Sequence, residues 1–372
     1  MDTVVEFRGV SKKYSDLMVL EDINLSIRQD DFMVIYGLPS SGKTVLLRLL
    51  MGLEAPDAGD IILRRENVRH MSPKIRNIGY VPQDFALIPH KTIFENIAYP
   101  LRLMKKPTRE IKPVVERAAS MLSIEELLDK LPTQLSGGQK QRVAVARGVV
   151  KETDIYLFDD PLAGLDFKLR ERLIDDLRRL QEDMAACFFY ATSDPIESLT
   201  LAASIAVLHE RTICEIGDPQ TIYFNPHHLS TIDILGFPRA NLLDGRIIRK
   251  ASEVWCQTNF LEFPIAVDAE VATVENPMDV TVAVRPESIQ KILGRDEKCL
   301  TADIYLREDL GAEEIIYLNI QDSNLTMVNP SSQTGHNDVG DQISISMNTA
   351  SIFVFEKDTG NRIGRGVDNF NA

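Results

Sequence analysis

The sequence predicts an α/β domain that spans residues 1 to about 235, followed by a small β-barrel domain over residues 236–356. In the first part, short apolar runs alternate with longer helical patterns, as a mostly parallel sheet covered by helices requires. After residue 236 the pattern changes to short alternating strands separated by turn residues, which is typical of a small barrel. A chain of 372 residues is long enough for each domain to bury its own core.

The elements of the first domain are predicted from their apolar patterns. Residues 31–37, "DFMVIYG", have the composition of a buried strand that ends in glycine, and "TVLLRLLMGL" after them has helical periodicity. The region of about residues 85–150 is rich in helix formers, and we interpret it as a helical subdomain beside the sheet. Further along, "DIYLFDD" and "CFFYATSD" repeat the strand pattern.

The second domain is predicted from alternating segments such as "DVTVAVRP", "EEIIYLNI" and "DQISISM". Its length of roughly 120 residues is within the usual range for a domain. The tail that follows, residues 357–372, is polar and rich in glycine, so we expect it to be disordered.

Composition narrows the classes of function. The formal net charge of −14 gives no overall electrostatic reason to bind nucleic acid or an anionic membrane, so no nucleic-acid partner is expected. The N-terminus lacks the pattern of a secretory signal, and the longest apolar runs are shorter than the roughly 20 residues that span a bilayer. We therefore interpret the chain as a cytosolic protein that reaches a membrane by docking on other proteins.

A P-loop pattern, "GLPSSGKT", lies between the first predicted strand and helix. Glycines there let backbone N–H groups surround phosphate oxygens, and the helix N-terminus adds a favourable dipole. Lys43 is expected to hold the β and γ phosphates, and the Thr44 hydroxyl to coordinate magnesium. The predicted phosphate-binding residues are Gly37, Ser40, Ser41, Gly42, Lys43 and Thr44.

A second motif, "LSGGQ", comes directly before a segment with helical periodicity. Two glycines and a serine at a helix start leave N–H groups and a hydroxyl facing outward, which suits an anion supplied from outside. Alone the motif is compatible with an ordinary helix cap, but its position about 20 residues before "IYLFDDP" favours the anion-binding role. The residues concerned are Ser136, Gly137, Gly138 and Gln139.

Together with these motifs, the strand "YLFDD" and the "LAGLD" loop resemble the ATPase subunit of an ABC transporter over nearly the whole chain. The resemblance implies ATP and magnesium (Mg2+) as cofactors. It assigns adenine stacking to Tyr14, for which a plain surface tyrosine is the alternative, and a magnesium contact linked to the membrane subunits to Gln83. It also implies that Asp159 binds magnesium through water and that the loop ending at Asp166 crosses to an opposing subunit.

The resemblance also implies partners. Two ATPase subunits meet head to tail, so each ATP lies between the P-loop of one and the "LSGGQ" motif of the other. They act on two transmembrane permease subunits at the cytoplasmic face of the cell membrane, and an external solute-binding protein delivers the cargo.

The second domain is similar to the OB-like regulatory barrel of maltose and glycerol-phosphate importers, with spermidine, iron and sulfate relatives. The phrases "RANLLDG" and "DLGAEEIIYL" favour the carbohydrate branch. We therefore predict a sugar or oligosaccharide cargo.

Two positions depart from the family pattern. Asp160 stands where the family has a water-activating glutamate, and Ser193 where it has a histidine that contacts the γ-phosphate. Either change alone is compatible with tolerated drift, but together they predict a site that binds ATP and hydrolyses it slowly. We therefore expect pairing with a second, non-identical and competent ATPase subunit. The alternatives are a homodimeric slow ATPase of a polyamine, iron or glycerol-phosphate importer, and a non-transport regulatory dimer that depends on ATP.

Overall fold

The computed structural model describes residues 3–250, 253–269, 271, 277–292, 299–330 and 338–367. The chain divides into two compact units, Met1–Pro219 and Gln220–Ala372. The two units meet between residues 219 and 220, whereas the sequence predicts a boundary near residue 235. Residues 220–235 pack inside the second unit, where Arg362 donates to the Pro226 carbonyl (3.0 Å) and Arg285 to the Leu235 carbonyl (2.9 Å).

The first unit contains one mostly parallel and one antiparallel sheet. Its strands are β1 (Thr3–Tyr14), β2 (Leu17–Arg28), β3 (Phe32–Tyr36), β4 (Ala58–Leu63), β5 (Glu66–Asn67), β6 (Gly79–Val81), β7 (Ile155–Asp159), β8 (Cys187–Thr192), β9 (Ser204–His209) and β10 (Thr212–Gly217). Its helices are α1 (Lys43–Met51), α2 (Pro73–Arg76), α3 (Ile93–Leu103), α4 (Thr108–Met121), α5 (Gly137–Val149), α6 (Phe167–Met184) and α7 (Pro195–Leu201).

The six-stranded sheet has the order β10-β9-β3-β8-β7-β6. All neighbours are parallel except β10 and β9. Every residue of β3, β7 and β8 is buried, which explains why these strands are nearly continuous apolar runs. Because parallel strands end at the same edge, this sheet brings the loops after β3, β7 and β8 together.

The antiparallel sheet has the strand order β2-β1-β4-β5. Its strand β1 ends at Tyr14. The predicted helical region is confirmed by α3, α4 and α5, which lie between β6 and β7 in the chain. Short 3-10 turns at Glu125–Leu127 and Pro132–Gln134 lead into α5. Among the described residues, no helix has both the length and the apolar character needed to span a bilayer.

The second unit begins with short helices and continues as strands. Its elements are α8 (Pro219–Phe224), α9 (Leu229–Ile234), β11 (Asn241–Lys250), β12 (Glu253–Gln257), β13 (Glu262–Val267), β14 (Met278–Val284), β15 (Ile289–Ile292), β16 (Leu300–Asp309), β17 (Glu313–Ile320), β18 (Ser323–Pro330), β19 (Gln342–Met347), β20 (Ile352–Glu356) and β21 (Arg362–Gly366). A closed barrel, β11-β12-β13-β21-β20-β14, confirms the predicted OB-like domain. A separate five-stranded sheet, β15-β19-β16-β17-β18, was not predicted.

The predicted disordered tail was wrong for residues 362–366, because β21 closes the barrel between β13 and β20. Two glycines of β21 lie so close to neighbouring backbone that they leave no space for a side chain. A side chain on Gly364 would lie 2.2 Å from the Ala266 carbonyl oxygen, and one on Gly366 would lie 2.1 Å from the Thr349 carbonyl oxygen. The end of the predicted tail, residues 368–372, lies outside the described residues.

Candidate nucleotide-binding site

One cleft of about 430 Å³ opens at the edge of the sheet where β3 and β7 end. It collects most of the side chains predicted from the sequence to act on a nucleotide. The predicted residues that line it are Tyr14, Ser40, Ser41, Gly42, Lys43, Thr44, Gln83, Asp159, Asp160 and Ser193.

The phosphate loop takes its shape from two glycines. Gly37 follows β3, and a side chain there would lie 2.5 Å from the Leu208 carbonyl oxygen. Gly42 has a φ of 106° in the left-handed region, where glycine carries no steric cost, and it is the N-cap of α1. Without a side-chain cap at Gly42, the first N–H groups of α1 remain available to an anion.

The loop also carries a buried hydroxyl that fits a phosphate. Ser41 Oγ lines the cleft and has no hydrogen-bond partner within the described structure. A buried polar atom without a partner is costly, so such atoms usually mark a ligand or water position. Ser41 therefore fits the predicted phosphate contact.

Lys43 is the buried cation of the site, with only 8% of its surface exposed. Its Nζ donates to the Gly37 carbonyl (2.7 Å) and to the Leu38 carbonyl (3.0 Å). Burial lowers the pKa of Lys43, while the neighbouring carboxylates Asp160 and Asp159 oppose that shift. The ammonium is thus held in the loop close to two acids.

A candidate magnesium position lies beside Lys43. The Thr44 hydroxyl donates to Asp159 Oδ1 (2.9 Å), and the Tyr80 hydroxyl donates to Asp159 Oδ2 (3.2 Å). Burial, reinforced by Asp159, raises the pKa of Tyr80, which therefore remains a hydrogen-bond donor. Gln83 lines the same cleft and is exposed.

These oxygen donors fit Mg2+, which keeps several waters and is usually held by one or two carboxylates together with phosphates. Within the described residues, no cluster of three or more His, Cys, Asp or Glu side chains could hold a metal without a nucleotide. The Asp159 carboxylate beside the Thr44 hydroxyl is the kind of donor set that magnesium takes together with phosphate.

Asp160 and Ser193 lie together in the cleft. Asp160 has a φ of 45°, a left-handed conformation that aspartate tolerates better than most residues, and its N–H donates to the Ala191 carbonyl (2.8 Å). Burial raises the pKa of Asp160, whereas Lys43 and a hydrogen bond from Ser193 act in the opposite direction. The two substituted positions are therefore direct neighbours.

Tyr14 reaches the cleft from the end of β1. Its hydroxyl donates to Glu54, and its pKa is raised to about 12 by partial burial and by that hydrogen bond. Lys12 Nζ lies 5.4 Å from the ring centroid, within the range of a cation–π contact. The ring is thus oriented before any base stacks on it.

The "LSGGQ" residues and Asp166 do not line this cleft. Ser136 is the N-cap of α5 and forms a capping box with Gln139. Gly137 has open space around its Cα, whereas a side chain on Gly138 would lie 2.0 Å from Leu169 Cδ2. Asp166 caps α6 by accepting from the Leu169 N–H (3.0 Å).

A polar cluster next to Ser193 in the fold was not predicted from the sequence. Arg170 pairs with Asp194, and the buried Glu197 accepts hydrogen bonds from the hydroxyls of Tyr190 and Thr192. The stretch "SDPIE" contains a helix-start signal, since Asp194 caps α7 with proline next to it. Nothing in the sequence indicated that Glu197 would be buried.

Comparison with known proteins agrees with this geometry. Residues 20–163 match the family described as "ABC transporter". The spermidine/putrescine import ATP-binding protein PotA of Haemophilus influenzae is 35% identical over 314 residues, which cover 81% of this chain and 84% of the relative. The maltose/maltodextrin import ATP-binding protein MalK of Vibrio vulnificus is 31% identical over 356 residues, which cover 95% of each chain.

A solved structure is also similar. The ATP-binding cassette MJ0796, in a dimeric post-hydrolysis state bound to ADP and Pi, has 29% identity and a TM-score of 0.53, and the match covers 58% of this chain and 98% of that chain. The fold and the cleft thus define an ATP-binding cassette protein. The chain belongs to the ATP-binding subunits of ABC transporters, and it is of the importer type.

Proposed function

We propose that this chain binds ATP with magnesium in the cleft and drives two permease subunits from the cytoplasmic face of the cell membrane. The observation that carries the proposal is the convergence of Tyr14, Ser41, Lys43, Gln83 and Asp159 on one cleft. An external solute-binding protein would supply the cargo, so this chain would not contact the cargo itself.

Each group in the cleft has a role that its chemistry supports. The Tyr14 ring would stack on adenine, and the α1 N-terminus with Lys43 and Ser41 would bind the phosphates. Thr44, Asp159 and Gln83 would hold magnesium, which supplies charge neutralisation on the phosphate oxygens when bound.

The site should hydrolyse ATP slowly. Aspartate reaches about 1.5 Å less far than glutamate, one carbon–carbon bond, and a base must come within about 2.6–3.2 Å of its proton or act through one water. The Asp160 backbone N–H is tied to Ala191, which restricts movement of Asp160 toward a substrate. Ser193 can donate a hydrogen bond, but it cannot carry the charge of an imidazolium.

We further propose pairing with a different ATPase subunit, and the contrast between the "LSGGQ" segment and the catalytic positions supports it. The "LSGGQ" segment is intact, and Gly137 leaves space for a phosphate supplied by a partner. The chain would then serve a competent partner site while its own site mainly binds ATP. The dimeric state of MJ0796 supports a paired arrangement in the family.

The cargo has two candidates. The phrases "RANLLDG" and "DLGAEEIIYL" and the full-length similarity to a maltose importer subunit favour a sugar. The higher identity to a spermidine/putrescine importer subunit favours a polyamine. Uptake assays with labelled maltodextrin and spermidine, in cells with and without this chain, would separate them.

The hydrolysis proposal is tested with purified full-length chain. We expect tight ATP binding, slow turnover, and little further loss in Asp160→Asn. Asp160→Glu combined with Ser193→His should raise turnover by about 10²- to 10⁴-fold, the usual value of general-base assistance. Robust wild-type turnover that Asp160→Asn abolishes would refute the proposal.

A further inference from the structure

Arg170 connects two segments that follow cleft-lining residues in the chain, one after Asp160 and the other after Ser193. It lies in the first turn of α6, directly after residues 162–166, here called the 162–166 segment. Its Nη2 donates to the Leu165 carbonyl of that segment (3.4 Å), and its Nη1 pairs with Asp194 Oδ2 (2.6 Å). Asp194 is adjacent to Ser193, so one guanidinium links both segments.

Glu197 is the second anchor of this cluster. Only 1% of its surface is exposed, and its Oε2 accepts from the Tyr190 hydroxyl (2.8 Å) and the Thr192 hydroxyl (2.8 Å). Thr192 Oγ1 also accepts from the Asp194 N–H (3.0 Å). The carboxyl is therefore tied to the end of β8 from which Ser193 emerges.

Arg170 and Glu197 are close to forming a further bond. Arg170 Nε is buried and has no hydrogen-bond partner within the described structure, and it lies 3.7 Å from Glu197 Oε1. A buried donor without an acceptor is costly, so a shift of under about 1 Å that forms this bond would be favourable. Arg170 is therefore placed to bond to Glu197 as well as to Asp194 and Leu165.

We propose that Arg170 and Glu197 are positioning residues that couple the 162–166 segment to the loop carrying Ser193. A partner subunit that contacts the 162–166 segment would thereby shift Ser193 and its neighbour Asp160. The inference rests on the proposed function in one respect, since it takes Asp160 and Ser193 to line an ATP site.

The coupling should depend on pH. Burial raises the pKa of Glu197 to about 7, and the nearby carboxylates Asp194 and Asp160 add to that shift. The groups that face it are Tyr190 and Thr192 from β8, Arg170 from α6, Asp194 at the start of α7, and Asp160 after β7. An ionised Glu197 attracts Arg170 and a protonated one does not, so the order of the 162–166 segment should rise with pH.

Two backbone amides report that order. The Ala163 N–H donates to the Asp160 carbonyl (3.3 Å), and the Leu165 N–H donates to the Leu162 carbonyl (3.3 Å). Neither amide contacts Glu197 through these bonds. If the Glu197 carboxyl had only a local structural role in α7 and β8, its ionisation would leave the exchange of these amides unchanged.

The experiment is residue-resolved hydrogen–deuterium exchange of the full chain between pH 6 and pH 8, corrected for the intrinsic pH dependence of exchange. In the wild type, protection of the Ala163 and Leu165 amides should rise on the order of tenfold, the equivalent of one charge-assisted hydrogen bond. Glu197→Gln should remove this rise, whereas Glu182→Gln, an exposed acid on α6, should keep it. Arg170→Lys keeps the charge but loses the planar fork, so it should lower protection at every pH.

Flat protection in the wild type would overturn the proposal, as would an unchanged pH profile in Glu197→Gln. Titration of the same samples with fluorescent N-methylanthraniloyl-ATP tests the ATP site separately. Loss of ATP binding would refute the proposed function, whereas intact binding with a flat exchange profile would refute only the coupling.

Discussion

At the scale of single residues, the cleft shows how a stacking side chain is oriented in advance. Tyr14 is 42% exposed, yet Glu54 accepts from its hydroxyl and Lys12 lies near its ring. Lys12 is itself held by the Ala55 carbonyl (2.9 Å) and by Asp57 (3.5 Å). Orienting a ring before binding reduces the entropy that binding must offset.

Glu54→Ala should therefore weaken ATP binding. We expect a loss of about 3- to 10-fold, because one hydrogen bond that orients Tyr14 disappears. Fluorescence titration with N-methylanthraniloyl-ATP measures it, and Glu66→Ala, an exposed acid in β5, is the matched control. An equal loss in a Tyr14→Phe background would show that Glu54 does not act through the tyrosine hydroxyl.

At the scale of elements, the two adjacent glycines that begin α5 have different physical functions. Gly138 permits close contact between α5 and Leu169 of α6, while Gly137 faces open space. The motif alone does not distinguish them, since both glycines are compatible with phosphate contact. Only the tertiary packing separates a glycine that contacts the neighbouring helix from one available to a ligand.

Gly138→Ala should destabilise the chain by about 1–3 kcal/mol, because the new methyl group overpacks against Leu169. Gly137→Ala should leave stability unchanged or raise it by up to about 1 kcal/mol, since alanine favours helix. Urea unfolding of the two variants beside the wild type measures both effects. Equal destabilisation by the two substitutions would contradict the packing assignment.

The junction of β8 and α7 should make stability depend on pH. The ordinary pKa of a glutamate is 4.5, and burial raises that of Glu197 to about 7. Between these values the folded chain binds more protons than the unfolded chain, so the contribution of Glu197 to stability falls as pH rises. The full difference is about 3 kcal/mol, present below pH 4.5 and lost above pH 7.

Glu197→Gln should remove this dependence. From pH 5 to pH 8, the unfolding free energy of the variant should rise by about 2.5 kcal/mol relative to that of the wild type. Urea unfolding at both pH values measures the gain, and Glu182→Gln should show none. A wild-type pH dependence in Glu197→Gln would mean that Glu197 is not the group that makes stability depend on pH in this range.

At the scale of the whole molecule, the sequence predicted what local patterns determine. The apolar runs of β3, β7 and β8 and the phosphate loop are contiguous, so the sheet and most of the cleft could be predicted. The features that the sequence did not predict depend on contacts between residues that are far apart in the chain. β21 closes the barrel by pairing with β13, about a hundred residues away, and Arg170 meets Glu197 only because α6 and α7 pack together.

We propose, for the whole assembly, that this chain pairs with a different, competent ATPase subunit. The most direct test is to affinity-purify the chain from its native membranes in mild detergent and to identify and count the co-purifying subunits by mass spectrometry. We expect two permease subunits and a second ATPase that carries glutamate and histidine at the positions matching Asp160 and Ser193. Two copies of this chain, with permease subunits and no other ATPase, would contradict the claim, because Asp160 would then have to serve both sites.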